Sequence, residues 1–188
     1  MAEAELRNPR TAYVKLFAPI DKSTVDRLMT TVEQHLKAGM GRFVLLISSP
    51  GGSVFAGMSA FNFLKGIPAE VITHNFGSAD SIATVMYCAG AKRYCVPHAR
   101  FLLHGIGADI QHVRVDERFL DERMKSLRTD RENISKIIAD SCQRPLERVE
   151  QEILQGTVLN AQQAIEYGLV HEIRSQLLEP GAEVVALQ

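Results

Sequence analysis

Residues 43–52 read FVLLISSPGG, and this stretch decides how the chain is built. Residues 43–47 are all apolar, which is typical of a strand buried on both faces of a parallel sheet. The strand runs directly into Ser-Ser-Pro-Gly-Gly, where the glycines let the backbone turn sharply and expose its N–H groups. Because ligands bind where parallel strands end, this loop is the first place to look for a site.

Strands and helices alternate on both sides of this stretch. The pattern predicts a strand at 12–17, a helix that opens at 21–23, a helix around 58–64, a strand at 71–73 and a compact helix at 81–88. Such alternation predicts parallel strands joined by right-handed crossovers, hence an α/β fold. The length suits a single domain over residues 1–188, and we expect flexible ends at about 1–10 and 175–188.

Composition and charge exclude several classes of function. The net charge is −1, and acidic and basic residues are scattered, so we expect neither nucleic acid nor a membrane as a partner. No apolar run approaches the ~18 residues of a membrane span, and no export signal opens the chain. Three cysteines without a C-x-x-C pair predict reduced thiols and a cytoplasmic location.

Motifs for cofactors and metals are also missing from the sequence. Cys95 and His98 form a single C-x-x-H pair without the second pair that a zinc site needs, so no metal is predicted. Neither of the glycine-rich phosphate-binding patterns occurs, and no cofactor is expected.

Ser81 and His104 are the residues best placed for chemistry. Ser81 starts a helix after Gly-Ser-Ala-Asp, where unpaired amides point outward, although a serine there is more often a helix cap. His104 follows the apolar residues 101–103 and can supply the base that a serine hydroxyl needs, although it is also compatible with a purely structural role.

Residues 116–140 differ in character from the rest of the chain. They are rich in charge, and their apolar residues form a narrow seam at Leu120, Met124, Leu127, Ile134 and Ile138. The spacing predicts one long helix, whose seam packs either on its own domain or on a neighbouring subunit.

Four segments in this order resemble the proteolytic subunit of the ATP-dependent Clp protease over residues 12–174: SSPGGSVFAGMSAFNFLK, GSADSIAT, YCVPHARFLLHG and LNAQQAIEYGLVHEI. The resemblance implies a crotonase-like α/β fold, a repeated β-β-α superhelix with a protruding long handle helix. It implies a serine peptidase with Ser81 as nucleophile and His104 as general base. The oxyanion-hole amides would be those of Gly52 and Ile82.

The resemblance also implies an assembly. The handle, at about 109–140 and including residues 110–115, would interlock stacked rings that enclose the serines, so that only unfolded polypeptide reaches them. A Clp-type ATPase normally threads the substrate. Only about ten residues precede the first strand here, where the family builds its axial loops, which argues against docking of such a partner.

One position departs from the family pattern. Alignment of LNAQQAIEYGLV without gaps places Gly156 where the family has the aspartate of its triad. In a well-studied serine protease, replacing that aspartate by its amide lowers turnover about 10⁴-fold. The residues considered as substitutes are Glu152, Thr157, Asn160 and Asp80, and the sequence does not rank them.

Two alternatives to an active peptidase therefore stay open. One is a catalytically weak or inactive ring component that assembles with or regulates another subunit, which Gly156 favours. The other is a crotonase-type acyl-thioester enzyme, which would share the fold and the oxyanion glycines without needing Ser81.

Overall fold

The computed structural model describes residues 9–107 and 115–187. Eight strands are present in this part of the chain: β1 Thr11–Phe17, β2 Arg42–Ser49, β3 Glu70–Asp80, β4 Lys92–Cys95, β5 Arg100–Leu103, β6 Thr157–Asn160, β7 Glu172–Ile173 and β8 Val184–Ala186. Six helices accompany them: α1 Lys22–Lys37, α2 Val54–Gly66, α3 Ile82–Tyr87, α4 Glu117–Cys142, α5 Leu146–Gln155 and α6 Ala161–Tyr167. This mixed α/β architecture confirms the predicted Clp-type, crotonase-like fold class.

The strands form one sheet in the order β6-β5-β3-β2-β1-β8, and β4 and β7 branch from β3. All pairings are parallel except that of β5 with β6, which is antiparallel. Strand β3 pairs with two different strands along its length: residues 72–75 pair with β4, and residues 78–80 pair with β5. The second pairing brings the end of β5 beside the end of β3.

The stretch at 43–47 is buried on both faces of the sheet, as its composition predicts. Phe43, Leu45 and Ile47 join the main core beneath the helices. Val44 and Leu46 belong to a smaller apolar cluster on the opposite face. This strand, β2, is central and fixes the Pro50–Gly52 turn at its carboxyl end.

The long helix at 116–140 is confirmed as α4, with Asp116 as its N-cap. The seam behaves differently in its two halves. Ile134 and Ile138 are buried in the chain's own core, whereas Leu120 and Met124 are 46% and 48% exposed. Residues 109–114 of the expected handle lie outside the described residues.

The C-terminal end contains regular structure. Within the range 175–188, which the sequence predicts to be flexible, β8 pairs in parallel with β1 and extends the sheet by one strand. Among the described residues, no helix has the length and apolar character needed to cross a membrane.

Candidate active site

Ser81 connects the end of β3 to the start of α3 in a sharp turn. Its φ and ψ are 58° and −130°, a region that residues other than glycine rarely occupy and that costs about 1–3 kcal/mol. Its N–H donates to the carbonyl oxygen of Leu102 at 2.7 Å, which anchors the turn to β5. Its side chain forms no capping hydrogen bond, so the helix-cap interpretation does not account for this serine.

The Pro50–Gly52 turn passes directly over Ser81. Gly51 has φ +89°, and a Cβ atom there would lie 2.6 Å from the carbonyl oxygen of Asp80 and 2.7 Å from the Cβ of Ser81. Gly52 has φ +148°, and a Cβ atom there would overlap the carbonyl oxygen of Ile20. Glycine at both positions lets the turn lie close to Ser81 on one side and to the Ile20 backbone on the other.

Two backbone amides near Ser81 are available to a ligand. In the part of the chain that the structure describes, neither Gly52 nor Ile82 donates its N–H to a protein acceptor. Ile82 is the first residue of α3, where amides have no partner within the helix. Both residues line the same cleft as Ser81. Backbone donors that face one cleft can stabilise a carbonyl oxygen as it gains charge.

His104 lies directly after β5 and lines this cleft as well. The strand is held in place by Asn75, a fully buried residue of β3 whose side-chain amide donates to the carbonyl oxygen of Arg100 at 2.9 Å. The imidazole is exposed, and no hydrogen bond within residues 9–107 and 115–187 fixes its orientation. Ser81 and His104 thus share a cleft without a direct hydrogen bond, as catalytic pairs without substrate often do.

The cleft has a volume of about 430 Å³, and its surface combines apolar side chains with polar groups. The walls come from α3, α4, α5 and the end of β5, through Ile82, Leu103, Ile134, Ile138 and Ile153. The polar groups come from Ser81, His104 and the backbone of the glycine turn. An extended peptide with an apolar side chain matches this distribution.

The strand register explains why Gly156 matters. Leu103 pairs with Thr157 in the antiparallel β5-β6 ladder, so the next pair along the ladder would be His104 and Gly156. Gly156 ends α5 with φ +76°, and a Cβ atom there would meet nothing within 4 Å. This next position along the ladder carries no side chain, and its positive φ disfavours most side chains although the space beside it is open.

Three of the residues considered as substitutes are engaged elsewhere. Glu152 accepts hydrogen bonds from Tyr167, Arg144 and Arg148. Its partial burial acts to raise its pKa, but the bonds from Tyr167 and Arg148 and the charge of Arg144 outweigh this and hold the pKa below its ordinary value.

Thr157 donates its hydroxyl to the backbone carbonyl of Glu152 at 2.9 Å. Asn160 caps α6 in a reciprocal pair of hydrogen bonds with Gln163. Neither side chain is free to orient His104.

Asp80, the remaining substitute, is buried and forms an ion pair with Arg100. Sequence reasoning did not single out Arg100. Arg100 lies four residues before His104 in a short strand. Because alternate residues of a strand share one face of the sheet, this spacing could have indicated that Arg100 and His104 lie on the same face.

Comparisons with known proteins show the family of the chain. The family model described as Clp protease matches residues 9–176. The ATP-dependent Clp protease proteolytic subunit 3 of Rhodococcus jostii (strain RHA1) is 31% identical over 173 residues, which cover 90% of this chain and 84% of that protein. Subunit 2 of the same organism is 34% identical over 73% of this chain and 70% of its own length.

A third relative is the ATP-dependent Clp protease proteolytic subunit 2 of Thermobifida fusca (strain YX), which is 34% identical over 131 residues. The match covers 69% of this chain and 63% of the length of that protein. The family match extends over most of the described residues and includes all four segments that carried the resemblance. The chain therefore belongs to the Clp protease family.

Proposed function

We propose that this chain is a serine-type endopeptidase subunit of a Clp-type ring, with Ser81 as nucleophile and His104 as general base. The observation that carries the proposal is the convergence of four groups on one cleft: the Ser81 hydroxyl, the His104 imidazole and the unpaired amides of Gly52 and Ile82. Nucleophile, base and oxyanion donors are the parts that acyl transfer requires.

The reaction proceeds in two halves. His104 accepts the proton of Ser81 while the serine oxygen bonds to the peptide carbonyl carbon, and the displaced electron pair moves onto the carbonyl oxygen between the two amides. The C–N bond then breaks, and the imidazolium gives its proton to the leaving amine. Water attacks the resulting acyl-enzyme by the same route and regenerates Ser81.

The substrate and partners follow from the cleft and the family. The apolar walls favour an apolar side chain next to the scissile bond. The relatives are named as proteolytic subunits of an ATP-dependent protease, so unfolded polypeptide is the substrate we propose. The chain would self-associate into rings stacked through the handle, of which α4 is the described part.

Labelling with a fluorophosphonate tests the nucleophile. The wild-type protein should gain one phosphonate per chain by intact-mass analysis, and Ser81→Ala should gain none. Ser81→Ala should also lower hydrolysis of an apolar fluorogenic peptide by about 10⁴-fold or more.

Ser59 provides the matched control, because it is a partly buried serine of α2 outside the cleft that donates to the carbonyl of Phe55. Ser59→Ala should label and hydrolyse like the wild type. Absence of an adduct on the wild-type protein, under conditions that label a known serine peptidase, would contradict the proposal.

A second function is favoured by one observation, the glycine opposite His104. A ring component that regulates another subunit does not need an oriented imidazole. Peptidase activity that is absent from the purified chain and arises only when a related subunit is added would favour this role. Activity of the purified chain that is lost in Ser81→Ala would exclude it.

A further inference from the structure

Asp80 carries a buried carboxylate oxygen without a partner. The residue is 6% exposed, and its Oδ2 forms an ion pair with Arg100. Its Oδ1 is buried and accepts no hydrogen bond from the described residues. Because buried polar atoms in folded proteins nearly always have partners, an unpaired carboxylate oxygen beside a reactive serine calls for a functional explanation.

The register of β3 and β5 places Asp80 between Arg100 and His104. Asp80 pairs with Leu102, so the two side chains lie on the same face of the sheet. Alternation along β5, continued by one residue, puts Arg100 two positions before Leu102 and His104 two positions after it on that face. One oxygen of Asp80 is therefore paired towards Arg100, and the other remains for a partner on the His104 side.

The separation of the two residues is compatible with a hydrogen bond. Neighbouring strands lie about 4.8 Å apart and rise about 3.3 Å per residue, so the Cα atoms of Asp80 and His104 are about 8 Å apart. Side chains of an aspartate and a histidine span that distance when they turn towards each other. Since His104 is exposed and unrestrained among the described residues, its ring is free to make this turn when substrate fills the cleft.

We propose that Asp80 is the positioning residue for His104, an inference that rests on the proposed function. Asp80 takes over the task of orienting the imidazole, which Gly156 cannot perform because it has no side chain. In the substrate complex, Oδ1 accepts a hydrogen bond from the ring N–H that faces away from Ser81. The proton of Ser81 moves to His104 and then to the leaving amine, and none passes to Asp80.

Kinetics of Asp80→Asn test the positioning role. The amide keeps the shape of the side chain but presents a weaker acceptor, so kcat for an apolar peptide should fall by about 10²-fold or more while KM changes by less than about threefold. Arg100→Gln serves as the matched variant, because it removes the ion pair and keeps the carboxylate. The fall in kcat for Arg100→Gln should be at least about ten times smaller than the fall for Asp80→Asn.

Rescue separates positioning from a structural role. Gly156→Asp places a carboxylate one step beyond the Leu103–Thr157 pair, where the space is open and where aspartate and asparagine tolerate the positive φ better than most residues. In the Asp80→Asn protein this second change should restore kcat at least about tenfold, whereas Gly156→Asn should not. If Asp80 only stabilised the fold, Arg100→Gln would be as damaging as Asp80→Asn, and Gly156→Asp would restore nothing; either result overturns the proposal.

A crystal structure of Ser81→Ala with a bound apolar peptide makes the test independent of turnover. We expect Oδ1 of Asp80 about 2.7–3.2 Å from a ring nitrogen of His104. A His104 ring turned away from Asp80 would overturn the positioning role and leave the peptidase proposal intact. If this contact is present and the wild-type protein takes up no fluorophosphonate, the peptidase proposal fails and the positioning role stands.

Discussion

Ser81 is held in its unusual backbone conformation by neighbours on both sides. Its N–H is bonded to β5, and Thr84 of the following helix donates its hydroxyl back to the carbonyl of Ala79 at 2.6 Å. The glycine turn closes over it from above and leaves no room for a Cβ atom at Gly51. The strained serine is thus fixed by contacts that surround it, as strained functional residues usually are.

Gly51→Ala should therefore lower both stability and activity. The new Cβ must displace the backbone of Asp80 or Ser81, and alanine at φ +89° adds strain, so we expect a loss of about 1–3 kcal/mol in the free energy of unfolding. Urea titration followed by circular dichroism measures the first effect, and fluorophosphonate labelling the second. Gly105→Ala is the control in the same cleft, because a Cβ there meets nothing within 4 Å. Equal stability of the two variants would contradict this account.

For individual residues, the sequence predicted which ones line the cleft better than it predicted their pairing partners. Ser81, His104, Gly52 and Ile82 line one cleft, as motif order predicts. Their catalytic roles stay a prediction. The strand register, which puts Gly156 opposite His104 and Asp80 beside Leu102, cannot be read from local sequence, because it depends on which strands pair.

At the scale of the elements, α4 performs two tasks along its length. Its second half packs into the core through Ile134 and Ile138, whereas its first half leaves Leu120 and Met124 exposed on the same seam. A continuous apolar seam on a helix whose first half lacks intrachain cover suits contact with another subunit. This division explains why the sequence pattern alone left both interpretations of the seam open.

Substitutions in the two halves should separate assembly from folding. Leu120→Ser combined with Met124→Ser should lower the oligomer mass in sedimentation velocity and leave the unfolding midpoint of the subunit nearly unchanged. Ile138→Ala, in the buried half, should instead cost about 2–5 kcal/mol in the free energy of unfolding. A double variant that keeps its mass at micromolar concentration would show that this half of α4 does not hold the assembly together.

Other elements differ from expectation for reasons of tertiary pairing. The strand predicted at 71–73 continues to Asp80, because residues 78–80 find β5 as a second partner after β4. The segment 175–188 contains β8, because the exposed edge of β1 offers unpaired backbone groups to the last apolar residues. Local composition gives no signal for either pairing.

At the scale of the whole molecule, buried thiols make the fold sensitive to alkaline pH. All three cysteines are free and buried. Burial raises the pKa of Cys88 and Cys95 to about 11 and that of Cys142 to about 12, from an ordinary value of 9.0. Below pH 9 the thiols are protonated in both states, so their contribution to stability is complete there. Above it, the unfolded chain releases protons that the folded chain retains.

The free energy of unfolding should therefore fall as the pH rises from 9 to about 11. The buried thiol of Cys88 contributes roughly 1 kcal/mol per pH unit in this interval. Urea titrations at pH 8, 9, 10 and 11 measure how steeply the free energy of unfolding falls with pH. Cys88→Ala should make this fall less steep by the contribution of about one proton, because alanine does not titrate. A slope that Cys88→Ala leaves unchanged would mean that this thiol meets solvent in the folded state, which is incompatible with its place in the core beneath the sheet.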